Sequence, residues 1–187
     1  MGCLFHVDGD FYIGNWVNDQ INGEGKYLHS DGSKYEGKWK NDLQEGHGIE
    51  SWMDGSKFEG EYKNGEKEGS GHFLWADGSE YVGEFSKNKF EGFGKYRWSD
   101  GREYEGTWKT NKMDGKGIFK WKDGRIYEGG YKDDKKEGQG IFTWPDGKKI
   151  MGTWVDGKQE EHGKLINPDG SIKEGIWEKG ENIKWID

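Results

Sequence analysis

Rings and glycines alternate with other residues along most of the chain. A ring is followed two residues later by a glycine and four residues later by a second ring, as in Tyr81, Gly83 and Phe85. Residues two apart lie on one face of a β-strand, so this series predicts a short strand with one aromatic-and-glycine face. The residues between them are mainly polar, as in Glu59 and Glu61, and the other face is therefore expected to contact solvent.

A second series follows each of these strands. In most repeats it consists of Gly-x-Gly, a further ring or apolar residue and a tryptophan, again spaced by two, as in Gly71, Phe73 and Trp75. The spacing predicts a second strand with a similar face. Asp-Gly then closes each repeat, as in Asp77-Gly78, and indicates a hairpin turn. Rings of one strand are expected to cover glycines of the next, because such pairing recovers the stability that glycine costs a sheet.

The two series together form a unit of 23 residues that recurs without insertions. Its leading positions are Tyr12, Tyr35, Phe58, Tyr81, Tyr104, Tyr127, Ile150 and Lys173. We predict one repeat domain over 1–187, with an N-terminal half-repeat at 1–11, seven repeats at 12–172 and a degenerate partial repeat at 173–187. The predicted fold is all-β, an elongated, twisted and curled single sheet of antiparallel hairpins, in which each repeat rests on its neighbours.

The ends depart from the repeat. Glu161 replaces the first glycine of Gly-x-Gly, Asn167 replaces a tryptophan, and Lys173 replaces the leading ring. Gly2 falls in phase with the second glycine of Gly-x-Gly, so the chain begins with half a repeat. The last repeat is expected to lack its second strand. Such degenerate ends are typical of capping repeats. A start that is cropped from a longer chain is the alternative for the N-terminal end.

Composition narrows the possible functions. Aromatic residues make up 16% of the chain, which favours a folded core, and the net charge of −8 disfavours nucleic-acid binding. The single cysteine, Cys3, suits a reducing compartment. The five histidines show no metal-ligand spacing, and no residue set breaks the repeat as an active site would. The prediction is a non-enzymatic, soluble, cytoplasmic protein without metal or cofactor.

These motifs resemble the MORN (membrane occupation and recognition nexus) repeat. The residues that carry the resemblance are Tyr81-Val82-Gly83, Phe85, Gly92-Phe93-Gly94 and Asp100-Gly101, and the pattern spans essentially the whole chain. The resemblance implies an elongated antiparallel hairpin array, often with a groove lined by aromatics. It also implies a scaffold at cytoskeletal, ciliary or membrane junctions.

One predicted site is an aromatic face that binds a helix or extended segment of a partner, or a second copy of the chain. A single sheet has no second layer to cover such a face, and exposed aromatic surface is typical of interfaces. The predicted contact residues are Trp16, Trp39, Trp52, Tyr62, Trp75, Trp98, Trp108, Trp121, Trp144 and Trp154.

Three alternatives remain open. Turn lysines could contact anionic phospholipid, although neighbouring acidic residues and the net charge oppose this; they are Lys87, Lys89, Lys109, Lys112, Lys132, Lys135 and Lys136. Rows of tryptophan and tyrosine could stack on glycans. Met1-Gly2-Cys3 could be acylated, but the myristoylation pattern requires Ser or Thr where His6 stands.

Overall fold

The computed structural model describes residues 1–186, and every regular element in that range is a β-strand. The strands are β1 (Gly2–Phe5), β2 (Phe11–Val17), β3 (Gln20–Leu28), β4 (Lys34–Lys40), β5 (Leu43–Ser51), β6 (Lys57–Lys63), β7 (Glu66–Leu74), β8 (Glu80–Ser86), β9 (Lys89–Arg97), β10 (Glu103–Lys109), β11 (Lys112–Lys120), β12 (Ile126–Lys132), β13 (Lys135–Thr143), β14 (Lys149–Val155), β15 (Lys158–Ile166), β16 (Ile172–Glu178) and β17 (Glu181–Ile186).

The 17 strands pair in chain order as one open antiparallel sheet. The predicted all-β array of hairpins is therefore confirmed. The chain divides into two compact units, one from Met1 to Gly92 and another that begins at Phe93. Within each unit, the same register recurs from repeat to repeat, and glycine commonly stands opposite glycine near the centre of a strand pair, as in Gly37 and Gly48.

The turn inside each repeat has two residues with positive φ. In the second repeat these are Asn41 (φ 49°) and Asp42 (φ 66°). Such a turn matches the twist of a hairpin, and Asn, Asp and Gly adopt it at low cost. The Asp42 carboxylate also accepts a hydrogen bond of 2.7 Å from the backbone N–H of Ile21 in the preceding hairpin. Each turn of this kind thus links neighbouring repeats.

The Asp-Gly pair lies in a longer loop between repeats. In Trp52–Ser56, the Trp52 N–H donates to the carbonyl of Ser56, and the Gly55 N–H donates to the carbonyl of Trp52. Asp54 accepts a bond of 2.8 Å from the Ser56 N–H. The predicted turn is present, but the tight two-residue hairpin turns occupy the other connection.

In repeats that begin with Tyr or Phe, the leading ring lies flat over a pair of glycines. Tyr35 covers Gly37 of its own strand and Gly48 of the next, and a Cβ atom on either glycine would clash with the ring. The Tyr35 hydroxyl donates to the backbone carbonyl of Lys38 at 3.0 Å. The expected contact between rings and the glycines of the next strand is confirmed.

The first glycine of Gly-x-Gly serves a different purpose. Gly46 has a φ of 66° and lies at a shift in register between Gly37 and Trp39. This geometry is a β-bulge, which glycine favours because it has no side chain to oppose positive φ. Glu161 occupies the corresponding position in the seventh repeat and also has a positive φ of 62°.

The core consists mainly of the leading rings, and each packs against the second ring of its own repeat and that of the next repeat. Tyr35 is 1% exposed and meets Trp39 of its own repeat and Tyr62 of the next edge-to-face, at centroid distances of 5.0 and 5.1 Å. Edge-to-face contacts of this kind stabilise aromatic pairs beyond the apolar area they bury. The buried apolar residues are thus almost all aromatic, with Ile21 as an aliphatic member.

The C-terminal end required a correction. The last repeat was expected to lack its second strand, yet β17 pairs with β16 and places Trp185 opposite Gly175. Trp185 meets Trp177 edge-to-face at 5.7 Å, and the Lys173 ammonium lies 5.8 Å from the Trp185 ring centroid. A ring from the second strand therefore replaces the ring that Lys173 removed from the first.

Candidate protein-interaction surfaces

Three members of the predicted aromatic contact face belong to the core. Tyr62, Trp108 and Trp154 are 4–6% exposed. The Trp108 indole N–H donates to the backbone carbonyl of Gly94 at 3.0 Å. A partner at the surface would contact little of these three side chains. Trp16 and Trp39, in the same row, are half-buried.

The tryptophans that open the Asp-Gly loops form a second row. These five residues, which we call the tryptophan row, are half-buried: Trp52, Trp75, Trp98, Trp121 and Trp144. In the second unit they alternate with phenylalanines, and Phe119 lies 5.3 Å from Trp98 and 4.5 Å from Trp121. Arg102 lies over Trp98 and Arg125 over Trp121, at 5.3 and 5.4 Å from the ring centroids. Arginine side chains of the same chain therefore already contact two rings of the tryptophan row.

Two lysines occupy spaces walled by rings. The Lys67 ammonium lies 4.9–5.4 Å from the centroids of three rings of the first unit and 2.7 Å from Glu50. The Lys136 ammonium lies 4.9–5.3 Å from Trp121, Tyr127 and Phe142 of the second unit. Burial lowers the pKa of Lys136, because desolvation disfavours its charged form.

The predicted lipid-contact lysines differ in their surroundings. Lys136 lies against rings, while Lys112 and Lys135 form ion pairs with Asp133 and Asp156. The remaining four, Lys87, Lys89, Lys109 and Lys132, are exposed. Lys112 and Lys135 are exposed as well, so only Lys136 of the seven is half-buried, and lipid contact stays a prediction.

An open groove lies on the other face of the second unit. Its volume is ≈ 770 Å³, and its lining includes Phe93, Ile118, Ile141 and Met151 together with the backbone of several glycines. Ile118 and Ile141 each stand opposite Glu128, and Ile141 also stands opposite Met151. Phe93 is 53% exposed. This face was expected to be polar, and here it has an apolar floor.

One glycine in the lining of this groove lies at a β-bulge. Gly130 lies between Gly129 and Tyr131, at a position where the neighbouring repeats carry Thr107 and Thr153. A Cβ at Gly130 would clash with the carbonyl oxygen of Glu137. The sequence signal was available, because Gly130 fits none of the recurring glycine positions and the apolar residues break the polar alternation.

The charges around the groove are mixed. Glu105, Glu128 and Glu137 line it together with Lys116 and Lys120. Among residues 1–186 no cluster of three or more His, Cys, Asp or Glu side chains is suited to hold a metal ion. Within the same range, no helix has the length and apolar character to cross a membrane. The groove offers apolar contact beside side chains of both charges, which suits a peptide.

Comparison with protein families gave a match over most of the chain. The family described as MORN repeat matches residues 12–34, 35–57, 58–80, 81–101, 104–124, 127–149 and 151–172. The chain belongs to the MORN repeat family. The ring-x-Gly strand, the flat ring over paired glycines and the bulged Gly-x-Gly strand are thus features of the first six of the seven consecutive MORN repeats in this protein.

Solved structures with a similar fold include a domain from Drosophila melanogaster. The SAS-4 (dCPAP) TCP domain, in complex with a proline-rich motif of Ana2 (dSTIL), has a TM-score of 0.52 and 11% identity, covering 83% of this chain and 85% of that one. The TCP10c domain of Sas-4 from the same organism has a TM-score of 0.48 and 11% identity, covering 83% and 93%. The first likeness shows a shared fold for the MORN array. A search of curated proteins gave no match.

Proposed function

We propose that this chain is a non-enzymatic scaffold that binds a segment of a partner protein in the groove of its second unit. The observation that carries the proposal is the apolar floor of Ile118, Ile141 and Met151 beside the exposed ring of Phe93. A contiguous apolar patch on a solvent-exposed face typically marks an interaction site. Methionine adapts its shape to different ligands, which suits Met151 to such a floor.

The expected occupant is an extended or helical segment with an apolar face. The groove floor contains glycine backbone, so a segment could approach the sheet closely above Gly129 and Gly130. The mixed charges at Glu128 and Lys120 suit a partner with both signs of charge. The Drosophila TCP domain, which shares this fold, is a protein that receives a proline-rich motif. That complex supports peptide binding by an open sheet of this type.

The repeat's own acidic residues favour a structural over a catalytic role. Asp31, Asp54 and Asp77 each accept a hydrogen bond from a backbone N–H two residues later, at 2.8 Å. They therefore shape loops. We further propose a cytoplasmic setting in a cytoskeletal or ciliary assembly, supported by MORN-repeat membership and by the likeness to a SAS-4 domain.

The test compares partner recovery by variants of the groove and of a matched site. Ile118→Asp with Ile141→Asp places charge on the apolar floor, while Ile49→Asp changes the same repeat position in the first unit. Crosslinking affinity purification from the native source should lose a defined set of proteins with the groove variant and keep it with Ile49→Asp. Circular dichroism and thermal melting establish that both variants are folded.

A second arm separates the groove from the tryptophan row. Trp98→Ala, Trp121→Ala and Trp144→Ala together remove that row in the second unit. If this variant, while folded, loses the partners that the groove variant retains, the binding site is the aromatic face and the groove proposal is wrong. If both folded variants recover all partners, neither face of the second unit binds them.

A further inference from the structure

The seventh repeat lacks the ring that its predecessors place over their paired glycines. Six repeats begin with Tyr or Phe, whereas the seventh begins with Ile150. Ile150 cannot reach across Gly152 and Gly163 as a phenol does. The Gln159 side chain lies there instead, and its Nε2 atom would be 3.1 Å from a Cβ on Gly152.

The Gln159 amide is buried without a hydrogen-bond partner for its nitrogen. The residue is 6% exposed, and Nε2 has no acceptor. Buried polar groups are normally paired, and leaving one unpaired is unfavourable. An unpaired amide at a place where the repeat pattern is broken indicates a site that a ligand completes.

A cavity of ≈ 260 Å³ lies beside this amide. Its walls include Phe142, Trp144, Ile150, Trp154 and Gln159. Two of the five walls are indoles and one is a phenyl ring. The cavity is therefore suited to a flat, apolar group that can reach one polar partner.

Other repeats show what this space accepts. Phe90 occupies the position of Gln159 three repeats earlier in the first unit, and its ring stacks on Tyr81 at a centroid distance of 3.8 Å. The Phe90 ring also lies 6.1 Å from Trp75, whose position corresponds to that of Trp144. Phe90 thus fills the space with a ring, and Lys67 and Lys136 occupy the same repeat position with an ammonium against rings, whereas Gln159 turns onto the glycines and leaves the equivalent space open.

We infer that this cavity binds a tyrosine side chain of a protein partner. A ring matches the walls and takes the place that Phe90 fills in its own repeat. A hydroxyl both donates and accepts hydrogen bonds, so it can pair with whichever end of the Gln159 amide faces it. Lysine or arginine fits less well, because the Lys148 ammonium already lies 5.6 Å from the Trp144 ring and Lys158 lines the cavity.

The probe for this site is N-acetyl-tyrosinamide, with the phenylalanine and lysine analogues as comparisons. NMR of the isotope-labelled full chain should show saturable shifts of the Gln159 side-chain amide and the Trp144 and Trp154 indole N–H signals. The tyrosine probe is expected to bind several-fold more tightly than the phenylalanine probe. Tighter binding of the lysine probe, or no saturable shift with tyrosine, would overturn the inference.

Variants keep the test specific. Ile150→Tyr supplies the missing ring from within and should abolish probe binding while raising the melting temperature. Lys149→Tyr adds the same ring to the neighbouring, exposed residue on the opposite face and should leave binding unchanged. Gln159→Leu keeps the size of the side chain and should remove the preference for tyrosine over phenylalanine. Persistent binding to Ile150→Tyr, or a preference unchanged by Gln159→Leu, would show that the probe binds elsewhere.

Discussion

Lys67 and Lys136 occupy the same position of two repeats, one in each unit, and each ammonium lies against three rings. The Lys67 ammonium is 4.9 Å from the Phe58 centroid, and the Lys136 ammonium is 5.1 Å from that of Tyr127. The two lysine sites differ in the residue at one neighbouring repeat position. Glu50 pairs with Lys67 at 2.7 Å, and the corresponding residue for Lys136 is Phe119.

The comparison shows that ring faces can hold a cation with or without a carboxylate. Attraction between an ammonium and an aromatic face supplies part of the stabilisation. In the first unit, Tyr62 also donates to Glu50 at 3.0 Å, so lysine, carboxylate and phenol form one network. In the second unit, no ion pair of Lys136 is found within residues 1–186, and burial lowers its pKa. The change from Glu50 to Phe119 between repeats thus alters the charge of the site, while the lysine keeps its position against the rings.

Alkaline pH is expected to unfold the chain and thereby to disrupt both lysine sites. This is the largest of the predicted effects. Burial raises the pKa values of Tyr62 and Tyr127 far above the usual range. The unfolded chain loses its phenol protons near pH ~10, whereas the folded chain keeps them to higher pH. The folded state then binds more protons, so stability falls as pH rises through this window. Circular dichroism against pH should show cooperative unfolding.

Removing one such phenol refines this prediction. Tyr127→Phe should move the alkaline unfolding midpoint to higher pH, because one fewer group resists ionisation in the folded state. The Tyr127 hydroxyl donates to the carbonyl of Gly130 at 3.2 Å, so the variant is compared by its pH midpoint and not by its stability at neutral pH. Alkaline unfolding that does not shift in this variant would argue against control by the buried phenols.

Replacing the two lysines by methionine should separate the sites at neutral pH. Lys67→Met leaves the Glu50 carboxylate, whose side chain is 20% exposed, without its cation, and should lower the free energy of unfolding by about 3 kcal/mol. Lys136→Met removes a cation that has no carboxylate partner and should change that free energy by less than about 1.5 kcal/mol. Urea denaturation measures both. Equal losses would contradict the distinction between the sites.

The pH dependence of the Lys136 variant gives a smaller effect. Because the folded pKa of Lys136 is lowered, the unfolded chain binds more protons between that pKa and its unfolded value of about 10.5. The wild type should therefore gain stability relative to Lys136→Met as pH rises through this window. Urea midpoints of the two proteins, compared between neutral pH and the start of alkaline unfolding, test this. A constant difference would contradict the lowered pKa.

The smallest of the predicted effects is a change in binding to anionic lipid vesicles. Changing Lys112, Lys135 and Lys136 to Gln should alter sedimentation with phosphatidylserine vesicles little, because two are ion-paired and one lies against rings. Changing the exposed Lys87, Lys89, Lys109 and Lys132 should remove whatever binding the wild type shows. Phosphatidylcholine vesicles provide the control. Greater loss with the first set would contradict the orientation of Lys136.

The strands, their pairing and the ring-over-glycine contacts could be predicted because each depends on residues two apart. The 23-residue period fixes which side chains share a face, and Tyr35 over Gly48 follows from it. The bulge at Gly46 was missed, since alternation alone cannot tell a strand glycine from one that needs positive φ. β17 was missed because Trp185 restores the ring from an unexpected strand.

The candidate site was less predictable than the fold. Face alternation identified the tryptophan row but not how far each ring is covered, so buried Tyr62 and half-buried Trp75 looked alike. Ile118, Ile141 and Gly130 line the groove. Gly130 is an exception to the repeat, and the two isoleucines depart from the polar residues that most repeats carry at their position. Exceptions carry functional information in a repeat array, because regular positions already serve the fold.

The turn that links neighbouring hairpins also limits how such a gene can change in length. The Asp42 carboxylate binds Ile21, and the Asp134 carboxylate binds Met113, so each turn depends on the hairpin immediately before it. Adding or deleting a whole repeat preserves every such bond. Adding or deleting one residue within a strand would reverse its faces from that point and expose the rings. Homologues of this chain should therefore differ in length by multiples of the repeat.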